Sequence, residues 1–372
     1  MKEKICFVLL VTLLSACHHP DPHHPVNLSA SPEARQLLEF IYSIQGKYTL
    51  AGQHNFTSSG DRYDSIVLAI TGKEPAVWGA DFSFIAAVEG ADGVHHCGPM
   101  NLSDPTDSLR FNGRSADELR QSLVDEAKGQ HAKGKIITLM WHRCFPTSGD
   151  SCMGSDIWAF ENRPSKATID SMTTEGTALN TAWKKQADGV AKYLAQLRDA
   201  HIPVLWRPYH EMNGVWFWWC NLREGRFAKL WEMEYRYFTE VHKLNNLLWV
   251  WDANAPRDIK GDEAFAYRDF YPDPSTVDIL AADVYRSDYQ QSHQDELIIL
   301  GEGKPIALGE VGEVPTDSIL HAQPNWTWFM VWGYFANVYN APEKVKALYD
   351  SPRVLTLEEI ERGEDGNWRV KK

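Results

Sequence analysis

Short, almost continuously apolar runs alternate along this chain with longer stretches in which apolar residues recur every three or four positions. The short runs are "YTLAGQH" (48–54), "AVWGADFSF" (76–84), "KIITLMWH" (135–142), "IPVLWRPYHE" (202–211), "NLLWVWDAN" (246–254), "VDILAADVY" (277–285), "PIALGEVG" (305–312) and "TWFMVWGYF" (327–335). A strand covered on both faces reads this way. Between them, helical spacing predicts helices over 115–134, which opens at Ser115 and closes at Gly134, over 177–201, with Trp183, Ala187, Val190, Leu194 and Leu197 on one face, and over 224–244. Later helical patterns are weaker and shorter. Eight strands with intervening helices in 372 residues predict a single (β/α)8 barrel. An open doubly wound sheet would want a glycine-rich phosphate turn after an early strand, and the sequence has none.

The beginning of the chain changes the picture. "MKEKICFVLLVTLLSAC" carries Lys2 and Lys4 before an apolar run too short to span a bilayer, and ends in small residues before Cys17. Residues 1–16 therefore read as an export signal and Cys17 as the lipidated first residue of a bacterial lipoprotein, anchored at the cell surface or in the periplasm. Residues 17–32, rich in proline and histidine, read as a flexible tether whose histidines are solvated rather than metal-binding. Residues 33–372 form the barrel, with no linker or repeat to divide them.

A formal net charge of −13 disfavours nucleic acid and favours a neutral partner. Export permits disulfides among Cys97, Cys144, Cys152 and Cys220; four cysteines allow three pairings, and a local Cys144–Cys152 bridge suits the loop between them.

Polar residues stand at the carboxyl ends of the expected strands: Gln53 and His54, Asp81, His142, His210 and Glu211, Asp252 and Asn254, Asp283 and Tyr285, and Glu310. In a barrel these ends converge on one mouth, where active sites lie. Glu211 and Glu310, on strands four and seven, are the equipment for cleaving a glycosidic bond, one protonated to assist the leaving oxygen and one ionised to attack the anomeric carbon. Such work needs a raised proton affinity at one of the two and a low one at the other. The structural alternative is that each glutamate merely pairs with an arginine, Arg207 first among them. No metal is expected: Gly214 replaces the second histidine of H-E-x-x-H, and the segment ends a strand rather than riding a helix. No cofactor motif and no G-x-S-x-G elbow is present. Sugars stack on indoles, and the chain has 15 tryptophans; Trp158 and Trp216, beyond strand ends, are the better platform candidates, Trp332 is intermediate, and strand residues such as Trp249 belong to packing.

"RPYHEMNGVWFWW", followed in order by "ADVY" and "LGEVG" and preceded by "GADFSF" and "LMWH", resembles glycoside hydrolase family 26, the β-mannanase family, over residues 35–350 or so. The resemblance implies a retaining mechanism with Glu211 as acid/base and Glu310 as nucleophile, hence a raised proton affinity at Glu211 and a low one at Glu310. It implies that His210 hydrogen-bonds near the nucleophile, that Tyr285 orients Glu310, and that His142, Trp332 and Asp283 surround the sugar beside the cut, with Trp216 on the leaving-group side. Cys220 and Gly333 depart from the family pattern, where glycine and, in some members, a substrate-gripping arginine stand. The implied substrate is a neutral β-1,4-mannan; mixed-linkage glucan and xylan are the alternatives within the family. A tethered glycan-binding protein without activity is the alternative of another class.

Overall fold

The computed structural model describes residues 23–55, 60–83, 115–149, 152, 156–159 and 163–371. Cys17, Cys97 and the expected export signal lie outside these residues.

Eight parallel strands close into a barrel: β1 (Thr49–His54), β2 (Val77–Asp81), β3 (Ile136–Trp141), β4 (Val204–Pro208), β5 (Leu247–Asn254), β6 (Ile279–Val284), β7 (Ile306–Val311) and β8 (Trp326–Val331), each hydrogen-bonded to the next and β8 to β1. All eight fall where the apolar runs predict strands. Every residue in them is buried, which is why the runs carry so little polar alternation. A short ninth strand, β9 (Val354–Leu355), pairs with the start of β1, and a hairpin of β10 (Ile360–Arg362) and β11 (Trp368–Val370) lies outside the barrel. The sequence reading did not single out β9 or this hairpin.

The helices follow local signals. Helix α1 (Pro32–Ile44) is capped by Ser31, whose hydroxyl accepts from the Ala34 N–H. After α2 (Arg62–Thr71), helix α3 (Ala116–Ala132) opens on a reciprocal capping box between Ser115 and Glu118. Helix α4 (Lys166–Met172) precedes α5 (Ala178–Asp199), which buries Trp183, Ala187, Val190, Leu194 and Leu197 as the periodicity predicts. The stretch expected as one helix over 224–244 is α6 (Arg226–Arg236) continued by a single π turn over Tyr237–Val241. Side chains inside the barrel, among them Leu50, Leu248, Val250, Ile279 and Trp328, share one core cluster with Leu37, Leu38 and Ile41 of α1, so α1 closes the lower end.

The expected tether is shorter than residues 17–32. The Val26 N–H donates to Asp278 Oδ1 at 2.7 Å, Tyr235 donates its hydroxyl proton to the Val26 carbonyl at 3.0 Å, and the Ser31 N–H donates to the Asn245 carbonyl at 2.7 Å. Those partners precede or open β5 and β6 or lie on α6, so the chain is fastened to the barrel's lower side from Val26 onward.

Candidate active site

At the upper ends of β4 to β7 the register sets polar groups side by side. Asn254 on β5 is paired with Asp283 on β6, and a register shift after Ala282 brings Asp283 opposite Glu310 on β7. Gly309, just before Glu310, is required by crowding: a Cβ there would stand 2.2 Å from Asp252 Oδ1.

Strand β4 stops at Pro208, not at Glu211 as its apolar run suggests. Tyr209 and Glu211 take left-handed backbone angles, with φ of 49° and 55°, and neither can continue a strand. Non-glycine residues seldom sit there, at a cost of roughly 1–3 kcal/mol. Three contacts hold the turn: the Glu211 N–H donates to the Asp252 carbonyl at 2.7 Å, the Cys220 thiol donates to the Glu211 carbonyl at 3.1 Å, and the Trp219 indole donates to the His210 carbonyl at 2.8 Å. The turn swings the Glu211 side chain inward. One carboxylate oxygen from each of Glu211, Asp283 and Glu310 lies within 4.8 Å of the other two.

The two glutamates meet different neighbours. Glu310 accepts from Arg207 Nη2 at 2.8 Å and from the Tyr285 hydroxyl at 2.7 Å; Arg207 also donates from Nε to Asp252 Oδ2 at 2.5 Å. Glu211 accepts from Trp216 Nε1 at 2.6 Å and from Asn254 Nδ2. The arginine alternative therefore holds for Glu310 and fails for Glu211. Burial, then the charge of Glu310, pushes Glu211 up to about 8. Burial raises Glu310 as well, against the low value expected for it, while Arg207 and the Tyr285 hydroxyl oppose the rise. The guanidinium on Glu310, with no cation among the described residues in direct contact with Glu211, favours the charged form at Glu310 over that at Glu211.

Asp283 is buried, and its carboxyl oxygens make no hydrogen bond among the described residues; Arg207 is 3.7 Å away. Burial and the charges of Asp252 and Glu310 raise it well above the carboxylate range. As a neutral acid it can donate a proton to a hydrogen bond. A cation could find ligands in these three carboxylates, but it would compete with Arg207, Tyr285, Asn254 and Trp216 for the two glutamates.

His142 is held by Asp81, whose Oδ2 is 2.5 Å from its Nδ1, and although burial works the other way, His142 draws Asp81 down to about 2. Asp81 thus fixes the ring so that Nε2 is the atom left for other partners. The His210 ring packs edge-on to His142 at 4.5 Å, and burial holds it well below the usual histidine range. Its Nδ1 makes no hydrogen bond among the described residues, while Arg207 and the Tyr285 hydroxyl each engage one Glu310 oxygen. Trp332 stacks on His54 at 4.0 Å, with His142 5.8 Å from its ring. Trp216, a platform candidate, is 6% exposed; its ring lies over Gly214, where a Cβ would stand 2.4 Å from the indole, and its N–H serves Glu211. Trp158, partly buried, packs against Phe217 at 5.1 Å, one ring removed from His210. Trp78, Trp206, Trp249 and Trp251 are core. Sequence reasoning missed Arg257, which contacts both Asn254 and Trp216. Cys144 and Cys152 are bridged beside β3, and Cys220 is a buried free thiol.

A closed barrel with two carboxylates at its mouth, one clamped to a cation and one held among neutral donors, is equipped for acid-assisted nucleophilic cleavage. Comparison with known proteins agrees. The family model described as glycosyl hydrolase family 26 matches residues 104–359. A mannan endo-1,4-beta-mannosidase of Thermothelomyces thermophilus is 32% identical over 360 residues, covering 93% of this chain and 66% of that protein, so the chain spans just under two thirds of that relative. One from Bacillus subtilis is 28% identical over 390 residues, covering 97% of both chains. Among solved structures, GH26A from Muricauda sp. superposes with a TM-score of 0.79 at 42% identity, covering 90% of this chain and 99% of that one. A β-mannanase from a symbiotic protist of the termite Reticulitermes speratus, solved with a gluco-manno-oligosaccharide, gives 0.70 at 28% identity, covering 90% and 97%. The chain belongs to glycoside hydrolase family 26 and is a glycoside hydrolase.

Proposed function

We propose that this protein is a retaining β-mannanase that cleaves β-1,4-mannosidic bonds within mannan, glucomannan or galactomannan, with Glu310 as nucleophile and Glu211 as general acid/base. The observation that carries the reading is the approach of the two carboxylates to within 4.8 Å in unlike surroundings. Retaining glycosidases hold their pair about 5–5.5 Å apart, whereas inverting ones need about 6.5–9.5 Å to admit a water between. The relatives named as mannan endo-1,4-beta-mannosidases supply the substrate class.

In the first step a Glu310 oxygen bonds to the anomeric carbon while the bond to the departing oxygen breaks and that oxygen takes the Glu211 proton. Arg207 and Tyr285 keep Glu310 ionised and aimed. Once Glu310 is an ester its charge is gone, and Glu211, now a carboxylate, takes a proton from the water that attacks the same carbon and releases Glu310. His142, Asp283 and Trp332 surround the sugar at the cut, His210 offers a neutral imidazole beside them, Trp216 borders the leaving group, and Trp158 backs that wall. The first residues act as an export signal, and Cys17 carries the lipid that ties the enzyme to a membrane.

Two measurements test the reading. Reducing-end release is expected from mannan and glucomannan ahead of mixed-linkage glucan and xylan; a preference for glucan or xylan overturns the substrate. Glu211→Ala is expected to lose activity on mannan and to regain it on an activated aryl glycoside with azide, which replaces the water and needs no base. No rescue, or a trapped glycosyl-enzyme on a residue other than Glu310, overturns the assignment.

A further inference from the structure

Arg257 stands in the loop after β5, outside every motif of the sequence reading, yet it contacts both side chains that hold Glu211. Its Nη1 donates to Asn254 Oδ1, while Asn254 Nδ2 donates to Glu211 Oε1. Its guanidinium carbon lies 5.1 Å from the centre of the Trp216 ring, whose N–H donates to Glu211 Oε2. Asp262 braces it from behind: Arg257 Nη2 and Nε donate to Asp262 Oδ1 and Oδ2 at 2.7 and 3.0 Å, Nε also reaches the Asp262 carbonyl at 2.9 Å, and Arg286 holds the same aspartate at 2.8 Å. Each Glu211 oxygen therefore has one neutral donor, and one cation ties both donors together.

We propose that Arg257 is a positioning residue for the reaction, clamping Asn254 and Trp216 around Glu211 and lending the acid/base a partly neutralised positive charge that sets how readily it gives up its proton. The inference rests on Glu211 being the acid/base. Glu211 meets Glu310 from β7, Asp283 from β6 and the Asp252 backbone from β5, with His210 and Cys220 from its own turn; Glu310 raises its proton affinity and Arg257 lowers it. Without such a counterweight the proton would be held too firmly for delivery near neutrality.

The brace gives the proposal a test with two opposite signs, using kcat/KM against pH on an unactivated manno-oligosaccharide, whose departing sugar oxygen needs the Glu211 proton. Arg257→Met removes the charge and keeps bulk, so the high-pH limb is expected to move alkaline by about half a unit or more. Arg257→Lys is expected to move it less. Asp262→Asn removes the charge opposing Arg257, so the limb is expected to move in the acid direction. Mere structural damage lowers activity at all pH values without opposite shifts. An unmoved limb in Arg257→Met, or both substitutions shifting it the same way, overturns the proposal. Azide rescue of Glu211→Ala serves as the separate control: with rescue present and the limbs fixed, only the role of Arg257 falls; without rescue, the assignment of Glu211 falls first.

Discussion

The upper ends of β4 and β7 carry the same functional group in different settings. Glu310 sits within β7, where the register to its neighbours shifts, with a charged and a phenolic donor on its two oxygens. Glu211 sits beyond its strand in a left-handed turn, with an indole and an amide on its two oxygens and a cation only behind them. Both are buried, and burial alone would make both neutral acids. The difference is the placing of Arg207 directly on one and of Arg257 at one remove from the other. The proposed catalytic pair, identical in side chain, is differentiated by the distance of its cations.

The largest break in that comparison is Glu310→Gln, which keeps shape and removes the attacking oxygen's charge; a loss on the order of 10^4-fold or more in kcat is expected from steady-state rates on mannan. Arg207→Met comes next. It strands Asp252 and Glu310 in the interior without their cation, so denaturant titration should show a loss of about 3–5 kcal/mol. With that charge gone Glu310 holds its proton more firmly, and the low-pH limb of kcat/KM should move alkaline. Tyr285→Phe removes one donor to a charged acceptor, worth about 1.5–3 kcal/mol, and should lower kcat/KM by about 10- to 100-fold with the low-pH limb shifted the same way but less.

A pH experiment sharpens the comparison from the other side. Glu211 ionises at about 4.5 when unfolded and is raised to about 8 in the fold, so between these values the folded state binds the extra proton. Stability should therefore fall as pH rises through this window and level off above it, while activity falls as Glu211 loses its proton. Glu211→Gln should remove this component, raising the melting temperature relative to the parent more at pH 8 than at pH 5. The smallest effect on activity is expected from opening the Cys144–Cys152 bridge, which closes a short loop and contributes about 2–3 kcal/mol by chain entropy; Cys152→Ser should lower the melting temperature by a few degrees with the pH profile unchanged.

Much of this was legible in the chain. Strands buried on both faces leave uninterrupted apolar runs, and all eight were placed by them; Glu211, Asp283 and Glu310 stood out because ionisable groups at the ends of such runs need a reason. What stayed hidden depends on contacts distant in sequence. Nothing near Glu211 announces that Asn254, 43 residues on, will hold it, or that Arg257 will hold Asn254. The early end of β4 was masked because Tyr209 and Glu211 look like continuing strand and only their backbone angles reveal the turn. A sequence also cannot show that the Trp216 ring folds back over Gly214 and turns its N–H to Glu211. The late tether boundary has the same origin: Asp278, which seizes Val26, lies 252 residues away.

That last contact has a geometric sequel. From Val26 the polypeptide runs along the foot of the barrel, beside the strand starts, while the proposed catalytic pair lies at the opposite rim. With a lipid on Cys17, as proposed, the anchored end would lie on the side of the barrel away from the two glutamates, leaving their rim open to a long, stiff polysaccharide.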